Sequence, residues 1–555
     1  MRKPQLLLWL LCALSALLLS LPWLVPHTGA LALVAFVPLL FADEVARELK
    51  LRASWLMPTF VFVAWNAATT FWVCNATVGG GIFAICYNSL QMLLIWLLFR
   101  LAMRKMGGTL PYIFLAAMWI AWERVYFSLD MSWPWLTLGG AFARSTRTVQ
   151  WYEYTGILGG SLWVWVVNLG VYGIVVAVLD GAWQRWNNVA RACASIGILL
   201  AVAGPLVASK FIWSSYEERS EATVDVVIGQ PNFDPYQKFE SLPQAEQTRI
   251  LLEEFAGALA SLPVSSAASS ASSSSALSAT ARPVLLLAPE TFTGDVVLNA
   301  PDDSRTLQSF RAFLAEHPGA ELLFGASTYD IYDTHAAPTI LARRYGDGWI
   351  VSHNSALMAR AEGPVEVYHK SKLVVGTELT PYPRIFVPLD DWLSAKMGVG
   401  GLMGRCVGQD GASLLHFGPQ RLPLGCAVCY ESVYGEYCTE YVKAGAQALT
   451  IITNDAWWGN TPGYRQHLSF AALRAIELRR DIARCGNTGI SCFIDQRGEI
   501  LSQSDWWTRQ TLTGQINLST AQTAFVRHGD IPGRLSTLVF LLLAAFLLVR
   551  VITKR

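Results

Sequence analysis

LPLGCAVCYESVYGEYCTEYVKAGAQALTIITND, residues 422–455, reads as a strand, a helix and a second strand. The runs 422–432 and 448–455 are short and apolar, and each ends in polar residues. Near-continuous apolar runs of that length fit strands buried on both faces. The pattern extends outward in both directions. TVDVVIGQ (223–230), VLLLAPE (284–290), LLFGAST (322–328), GWIVSHNSALMA (348–359), TGISCFID (488–495) and TLTGQINL (511–518) read as further strands. Helical stretches alternate with them near 243–260, 303–316 and 463–484. Such alternation predicts an α/β sandwich. SSAASSASSSS (265–275) interrupts it with the composition of a flexible linker and no residue suited to chemistry.

The rest of the chain has another character. Charged residues are 15% of the 555 and hydrophobic residues 53%, whereas soluble chains carry about 25% charged residues. A bilayer span needs about 20 apolar residues. Candidate spans lie near 5–24, 29–41, 54–77, 82–103, 111–128, 157–180, 192–213 and 533–552. The run 29–41 is short, so it reads equally as a half-span. Arg2 and Lys3 precede the first run, but no small-residue cleavage site follows, so it reads as a retained span. With eight spans, Arg47, Lys50, Arg52, Arg100, Arg104, Lys105, Arg185, Arg191, Arg550, Lys554 and Arg555 fall on one side, the cytoplasmic one. The predicted fold is therefore a membrane α-helical bundle of about eight spans joined to an α/β domain. The predicted domains are 1–213 with about seven spans, 214–532 on the outer side, and 533–555 as a final helix and tail. The loop 124–151 carries Arg124, Arg144 and Arg147 on the outer side, a mild exception, with Trp133, Trp135, Trp151 and Tyr152. It reads as an interfacial anchor or as a lipid entrance. A net charge of +1 gives no sign of nucleic-acid binding.

Three polar residues stand at or just beyond the ends of apolar strands: Glu290, Lys370 and Cys429. Strand ends at one sheet edge are where α/β sites assemble. A thiol needs a base before it attacks an acyl carbon. A carboxylate is such a base, and an ammonium stabilises the oxyanion that forms. Each residue alone also has a plain reading, as a turn glutamate, a surface lysine and a small core cysteine. Cys426 and Cys429 form a C-x-x-C, but strand alternation points them apart, which suits neither a metal nor a redox pair.

APET (288–291), YHKSKLVVGTE (368–378) and CYES (429–432) resemble the Glu–Lys–Cys motifs of the nitrilase, or carbon–nitrogen hydrolase, superfamily. TNDAWWGNTPGYRQHLSFAALRAIELRRDIAR (453–484) and TGISCFIDQRGEI (488–500) resemble its following strand, helix and strand. NDAWWG (454–459), HLSFAALRAIEL (467–478) and FVRHGD (525–530) resemble in particular its membrane branch, the apolipoprotein N-acyltransferases. The resemblance implies an αββα sandwich, with Cys429 as nucleophile, Glu290 as general base and Lys370 stabilising the tetrahedral intermediate. It implies a supporting role for Glu378 and for Tyr430 and Glu431 beside the nucleophile. Glu431 reads equally as a structural carboxylate, and Lys372 competes with Lys370. Asn454 and Trp457 are expected to border the pocket, Trp457 with core packing as the plainer reading. His467 reads as structural. GQPNFDPYQKF (229–239) corresponds to the family segment after the first strand, although the family shows a longer polar motif there.

The implied reaction is a two-step exchange needing no metal or cofactor. An acyl chain passes from a membrane phospholipid to the thiol, then to the N-terminal amine of a diacylglyceryl-cysteine lipoprotein. The expected setting is a bacterial inner membrane, with a periplasmic catalytic domain, cytoplasmic termini and a monomeric chain. No disulfide is expected near a cysteine that must stay a thiol. Two rival readings are a membrane-tethered amide hydrolase and a non-catalytic transport or binding protein.

Overall fold

The computed structural model describes residues 3–235, 238, 242–262, 283–399 and 401–553; the Ser-rich insert lies outside these. The chain forms two compact units. The first holds residues 1–217, 461–477 and 523–555, and the second holds 218–460 and 478–522. This grouping places the segment 461–477 with the N-terminal helices, apart from a division in simple chain order.

In the first unit, six helices among the described residues are long and apolar enough to cross a membrane: Gln5–Leu24, Gly29–Glu48, Val78–Lys105, Tyr152–Leu179, Asn188–Ser215 and Ile531–Ile552. The run 29–41 is no isolated half-span, since a 3-10 turn, Gly29–Val34, leads into a helix, Val37–Glu48. The runs expected at 54–77 and 111–128 form shorter helices, Leu56–Thr70 and Leu110–Tyr126. At about 1.5 Å per residue the first of these is about 22 Å long, short of a bilayer core of about 30 Å. Inside the unit, Asp43 accepts from Arg100 Nε at 2.6 Å and from Arg47 Nε at 3.0 Å. A charge at such depth is retained when paired. In the loop 124–151, Trp135 is fully buried rather than placed as an interfacial anchor. Its indole donates to Gln466 Oε1 at 2.7 Å and stacks on Trp133 at 5.0 Å.

The second unit contains two sheets. In chain order its strands are β1 (Ala222–Gln230), β2 (Val284–Leu287), β3 (Thr293–Val297), β4 (Ala320–Tyr332), β5 (Arg343–Tyr345), β6 (Gly348–Ala359) and β7 (Glu366–His369). There follow β8 (Leu414–Phe417), β9 (Leu422–Val428), β10 (Ala448–Thr453), β11 (Ile482–Gly486), β12 (Cys492–Ile494), β13 (Ile500–Gln503) and β14 (Gln510–Leu518). One sheet runs β14-β1-β2-β4-β6-β5, with β3 beside β4 and β7 beside β6; the other runs β13-β12-β11-β10-β9-β8. The central pairs β1–β2, β2–β4, β9–β10 and β10–β11 are parallel, which explains why these strands read as unbroken apolar runs. The sheets pack face to face: the Cys485 thiol on β11 reaches the Gly229 and Leu287 carbonyls, at 3.3 and 3.5 Å. Helices Gln244–Ser261 and Arg305–Glu316 cover the outer face of the first sheet. They place Leu251, Phe255, Leu307 and Phe310 against Val227, Leu286 and Phe324. Each such buried side chain contributes about 1.5–3 kcal/mol.

Several elements of the second unit depart from the sequence reading: the helix Pro383–Met397 and strands β3, β5, β7, β8 and β13 lie where none was read. The helix expected over 463–484 is Pro462–Leu478, and Ile482–Gly486 is strand β11. Arg479 takes a left-handed φ of 49°, which ends the helix without glycine or proline. Arg484 is tolerated in a fully buried strand because it donates to Asp455 Oδ2 at 2.6 Å.

Candidate active site

The site assembles beyond the C-terminal ends of β2 and β9, with β6 between its carboxylates. Chain direction changes sharply at two of these points. Glu290 follows β2 at a corner where Thr291 has φ 46°. Cys429 follows β9 with φ 52° and opens a 3-10 turn, Cys429–Val433. A side chain other than glycine in that region costs on the order of 1–3 kcal/mol, and such strain collects at functional positions.

Lys370 is the hub. Its Nζ donates to Glu290 Oε1 at 3.0 Å and to Glu378 Oε1 at 3.0 Å, and it is 1% exposed. Burial alone pushes this ammonium down, but Glu290, Glu378 and the Cys429 sulfur hold it well above the ordinary lysine value. It therefore stays charged at neutral pH. Asn354, in the middle of β6, donates from Nδ2 to Glu290 Oε1 at 2.8 Å and to Glu378 Oε1 at 2.6 Å. Glu290 Oε2 accepts from the Asn454 backbone N–H at 3.2 Å, and Glu378 Oε2 accepts from Val374 N–H at 2.7 Å. The Cys429 thiol is buried. Burial pushes it well above the ordinary thiol value, Glu290 adds to this, and Lys370 opposes it. A thiol so placed is protonated at rest and needs a base at the moment of attack.

Glu431 occupies a second cluster. It is fully buried, and its Oε1 accepts from Tyr368 Oη at 2.6 Å, Ser371 N–H at 2.7 Å and Lys372 N–H at 3.2 Å. Its Oε2 accepts from Val428 N–H at 2.8 Å and Tyr441 Oη at 3.2 Å. It thus ties the segment after Lys370 to the strand before Cys429.

The predicted residues are brought together unevenly. Glu290, Lys370 and Glu378 share hydrogen bonds, Cys429 lies within their electrostatic reach, and Asn454 reaches Glu290 through its backbone. Lys372 does not join them: its ammonium lies over the rings of Tyr434 and Tyr437, at 5.6 and 5.4 Å. Tyr430 is buried, edge-on to Tyr434 at 5.1 Å. Trp457 is half-buried in the turn Asp455–Trp458, so it is not a core residue. His467 is buried in the first unit, beside Trp135 at 5.9 Å. Asn354 was missed by sequence reasoning; its only signal was a polar stretch, Ser352 to Ser355, inside a strand run. Among the described residues of the second unit taken alone, no three His, Cys, Asp or Glu side chains gather as a metal would require.

The carbon–nitrogen hydrolase family model matches residues 179–524. The chain belongs to the carbon–nitrogen hydrolase family. Ahead of that carbon–nitrogen hydrolase region, residues 15–170 match the model of the apolipoprotein N-acyltransferase N-terminal domain. An apolipoprotein N-acyltransferase of Chlorobaculum tepidum is 28% identical over 93% of this chain and 92% of its own length. One of Geobacter metallireducens is 24% identical over 94% of this chain and 92% of its own. Among solved structures, Saccharomyces cerevisiae Nit3 of the nitrilase superfamily aligns at 12% identity with a TM-score of 0.35, over 55% of this chain and 93% of its own.

Proposed function

We propose that this membrane protein is an apolipoprotein N-acyltransferase that works through a thioester on Cys429. The observation that carries the reading is a buried thiol within electrostatic reach of a lysine clamped by two carboxylates. It stands on a chain that matches the acyltransferase N-terminal domain and carries membrane-length helices. Lipids and lipoproteins are the substrates the family function implies.

In the first step Glu290 removes the thiol proton as sulfur attacks the ester carbonyl of a membrane phospholipid. Lys370 donates to the oxyanion. The tetrahedral intermediate collapses, the C–O bond breaks, and the proton held by Glu290 leaves with the lysophospholipid. In the second step the α-amine of a diacylglyceryl-cysteine attacks the thioester. The C–S bond breaks, an amide forms, and the proton lost by the amine passes through Glu290 to the sulfur. Glu378 and Asn354 keep Lys370 and Glu290 in register, and Glu431 with Tyr430 holds the nucleophile turn. Asn454 and Trp457 border the pocket. We assign catalysis to the domain 214–532 and place it in the periplasm, with both termini cytoplasmic in a bacterial inner membrane. The Lys and Arg clusters share one side when the shorter helices Leu56–Thr70 and Leu110–Tyr126 cross as well, and on that count they support this orientation. A single copy supplies every group that this mechanism uses.

The test is intact mass after incubating the detergent-purified protein with phospholipid alone. The expected result is an acyl-sized adduct, absent in Cys429→Ala and released by a diacylglyceryl lipopeptide with a free amine. Release by water at the same rate would make the protein a hydrolase instead. No adduct on folded protein would refute the thioester.

A further inference from the structure

The segment after β1 has no task in the reaction above, yet it reaches Glu290 from two sides. Lys238 lies in it, 5% exposed. A buried ammonium is costly unless it finds acceptors. Lys238 Nζ donates to the Thr291 carbonyl oxygen, and the Glu290 carboxylate is within electrostatic reach. Thr291 is the residue with left-handed φ directly after Glu290. The corner has little room to relax. A Cβ on Gly325 would come within 2.5 Å of Glu290 Cα. Phe292 N–H donates to the Gly325 carbonyl at 2.8 Å, and Gly325 N–H donates to Pro289 at 3.1 Å. From the other side, Asn487 grips Phe233: its Nδ2 donates to the Phe233 carbonyl at 2.8 Å, and its Oδ1 accepts from Phe233 N–H at 3.0 Å. Asn487 Nδ2 also donates to Asn454 Oδ1 at 3.3 Å, and Asn454 N–H donates to Glu290 Oε2.

We propose that Lys238 is a positioning residue: by pinning the Thr291 carbonyl it holds the left-handed corner that aims the Glu290 carboxylate at the thiol. This rests on the reading of Glu290 as the base. Thr291 pays for its conformation in strain, and the lysine contact offsets it. Burial lowers the Lys238 ammonium to about 7, with Glu290 opposing. Amine and ammonium both carry N–H donors, so the contact persists in either state. Glu290 thus has its ammonium partner in Lys370 and its backbone anchor in Lys238.

The experiment measures the single-turnover rate of acyl-enzyme formation by intact mass, with full-length protein in detergent and phospholipid as donor. Lys238→Met removes the donor and keeps the chain length; a rate about 10²-fold lower is expected, the scale of a misplaced catalytic group. Adding Thr291→Gly to that variant is expected to restore at least about tenfold, because glycine adopts positive φ without a Cβ penalty. Lys238→Gln, which keeps a shorter donor, takes the place of the methionine variant if that protein does not fold. Glu290→Gln is measured in parallel. A Lys238→Met rate equal to the parent, with Glu290→Gln inactive, overturns the positioning role. So does a slow Lys238→Met that Thr291→Gly leaves unchanged, since a general packing defect would not respond to glycine at that corner. An active Glu290→Gln would overturn the base itself, and the positioning role with it.

Discussion

Two buried clusters meet on the segment 368–372, and they differ in what faces their carboxylates. Around Lys370, Glu290 and Glu378 face an ammonium and the Asn354 amide. Around Glu431, the donors are three backbone N–H groups and the hydroxyls of Tyr368 and Tyr441. Tyr437 extends that cluster, 2.6 Å from the Tyr368 hydroxyl. A charge held by another charge can exchange protons and respond to a substrate; a carboxylate held by neutral dipoles mainly fixes backbone. The first cluster is therefore built for chemistry, and the second holds the loops that carry Lys370 and Cys429.

If that division is correct, the largest effect belongs to Lys370→Met. It leaves two carboxylates with their shared counter-charge removed, in a site where Lys370 is 1% exposed. Breaking a buried pair by removing one partner costs about 3–5 kcal/mol. Loss of an oxyanion donor lowers the chemical step by a further 10²–10³-fold, on the order of what single-donor removal does elsewhere. Acyl-enzyme formation and chemical-denaturant unfolding, measured on one preparation, check both. A variant that loses stability but keeps its rate would move Lys370 out of the chemistry.

The smaller effect of Glu431 would sharpen the comparison. Glu431→Ala leaves three backbone N–H groups without their acceptor and takes a partner from two hydroxyls, and a destabilisation of about 3 kcal/mol is expected. The acylation rate should fall less than in Lys370→Met, through displacement of the loop. Glu431 also carries a pH signature. Burial raises its carboxyl above the ordinary value, against the hydroxyl and amide donors and the more distant Lys370 charge. The folded state then binds the proton more tightly than the unfolded one. Its contribution to stability is greatest below the ordinary carboxylate range and declines as pH rises through the folded value. In Glu431→Gln that decline should be absent, which a melting series across pH would reveal.

How much of this was legible follows the range of the interactions. The strings 288–291 and 429–432 each carry a reactive side chain at the end of a strand that apolar periodicity placed, whereas Lys370 was reached only through its motif, since nothing in the pattern marks the short β7 before it. Most spans were legible as well, because a bilayer imposes one length and one polarity. Asn354 was not, because an amide in a strand has many uses; only the pairing of β6 with β4 and β7 sets it between the two glutamates. Strand β11 was read as the tail of a helix. Nothing in LRRDIAR marks a stop, and the turn depends on Arg479 adopting positive φ under tertiary constraint. Glu431 stood open between structure and function, since alternation along β9 says nothing of the Tyr368 and Tyr441 hydroxyls that arrive from elsewhere.

The finest test of the comparison is a single oxygen. Tyr441 Oη donates to Glu431 Oε2 at 3.2 Å, to the Cys426 carbonyl at 2.9 Å and to the Tyr368 hydroxyl at 2.7 Å. One proton cannot serve three acceptors at once, so the hydroxyl shares it, and Glu431 keeps four other donors when it is gone. Tyr441→Phe is expected to cost about 1 kcal/mol, the net worth of an ordinary buried hydrogen bond. It should leave the acylation rate within about threefold of the parent, because backbone N–H groups still fix the carboxylate. A rate loss approaching that of Lys370→Met, with the melting temperature nearly unchanged, would mean that the hydroxyl network relays protons to the site. The division between a reactive cluster and a holding one would then fail.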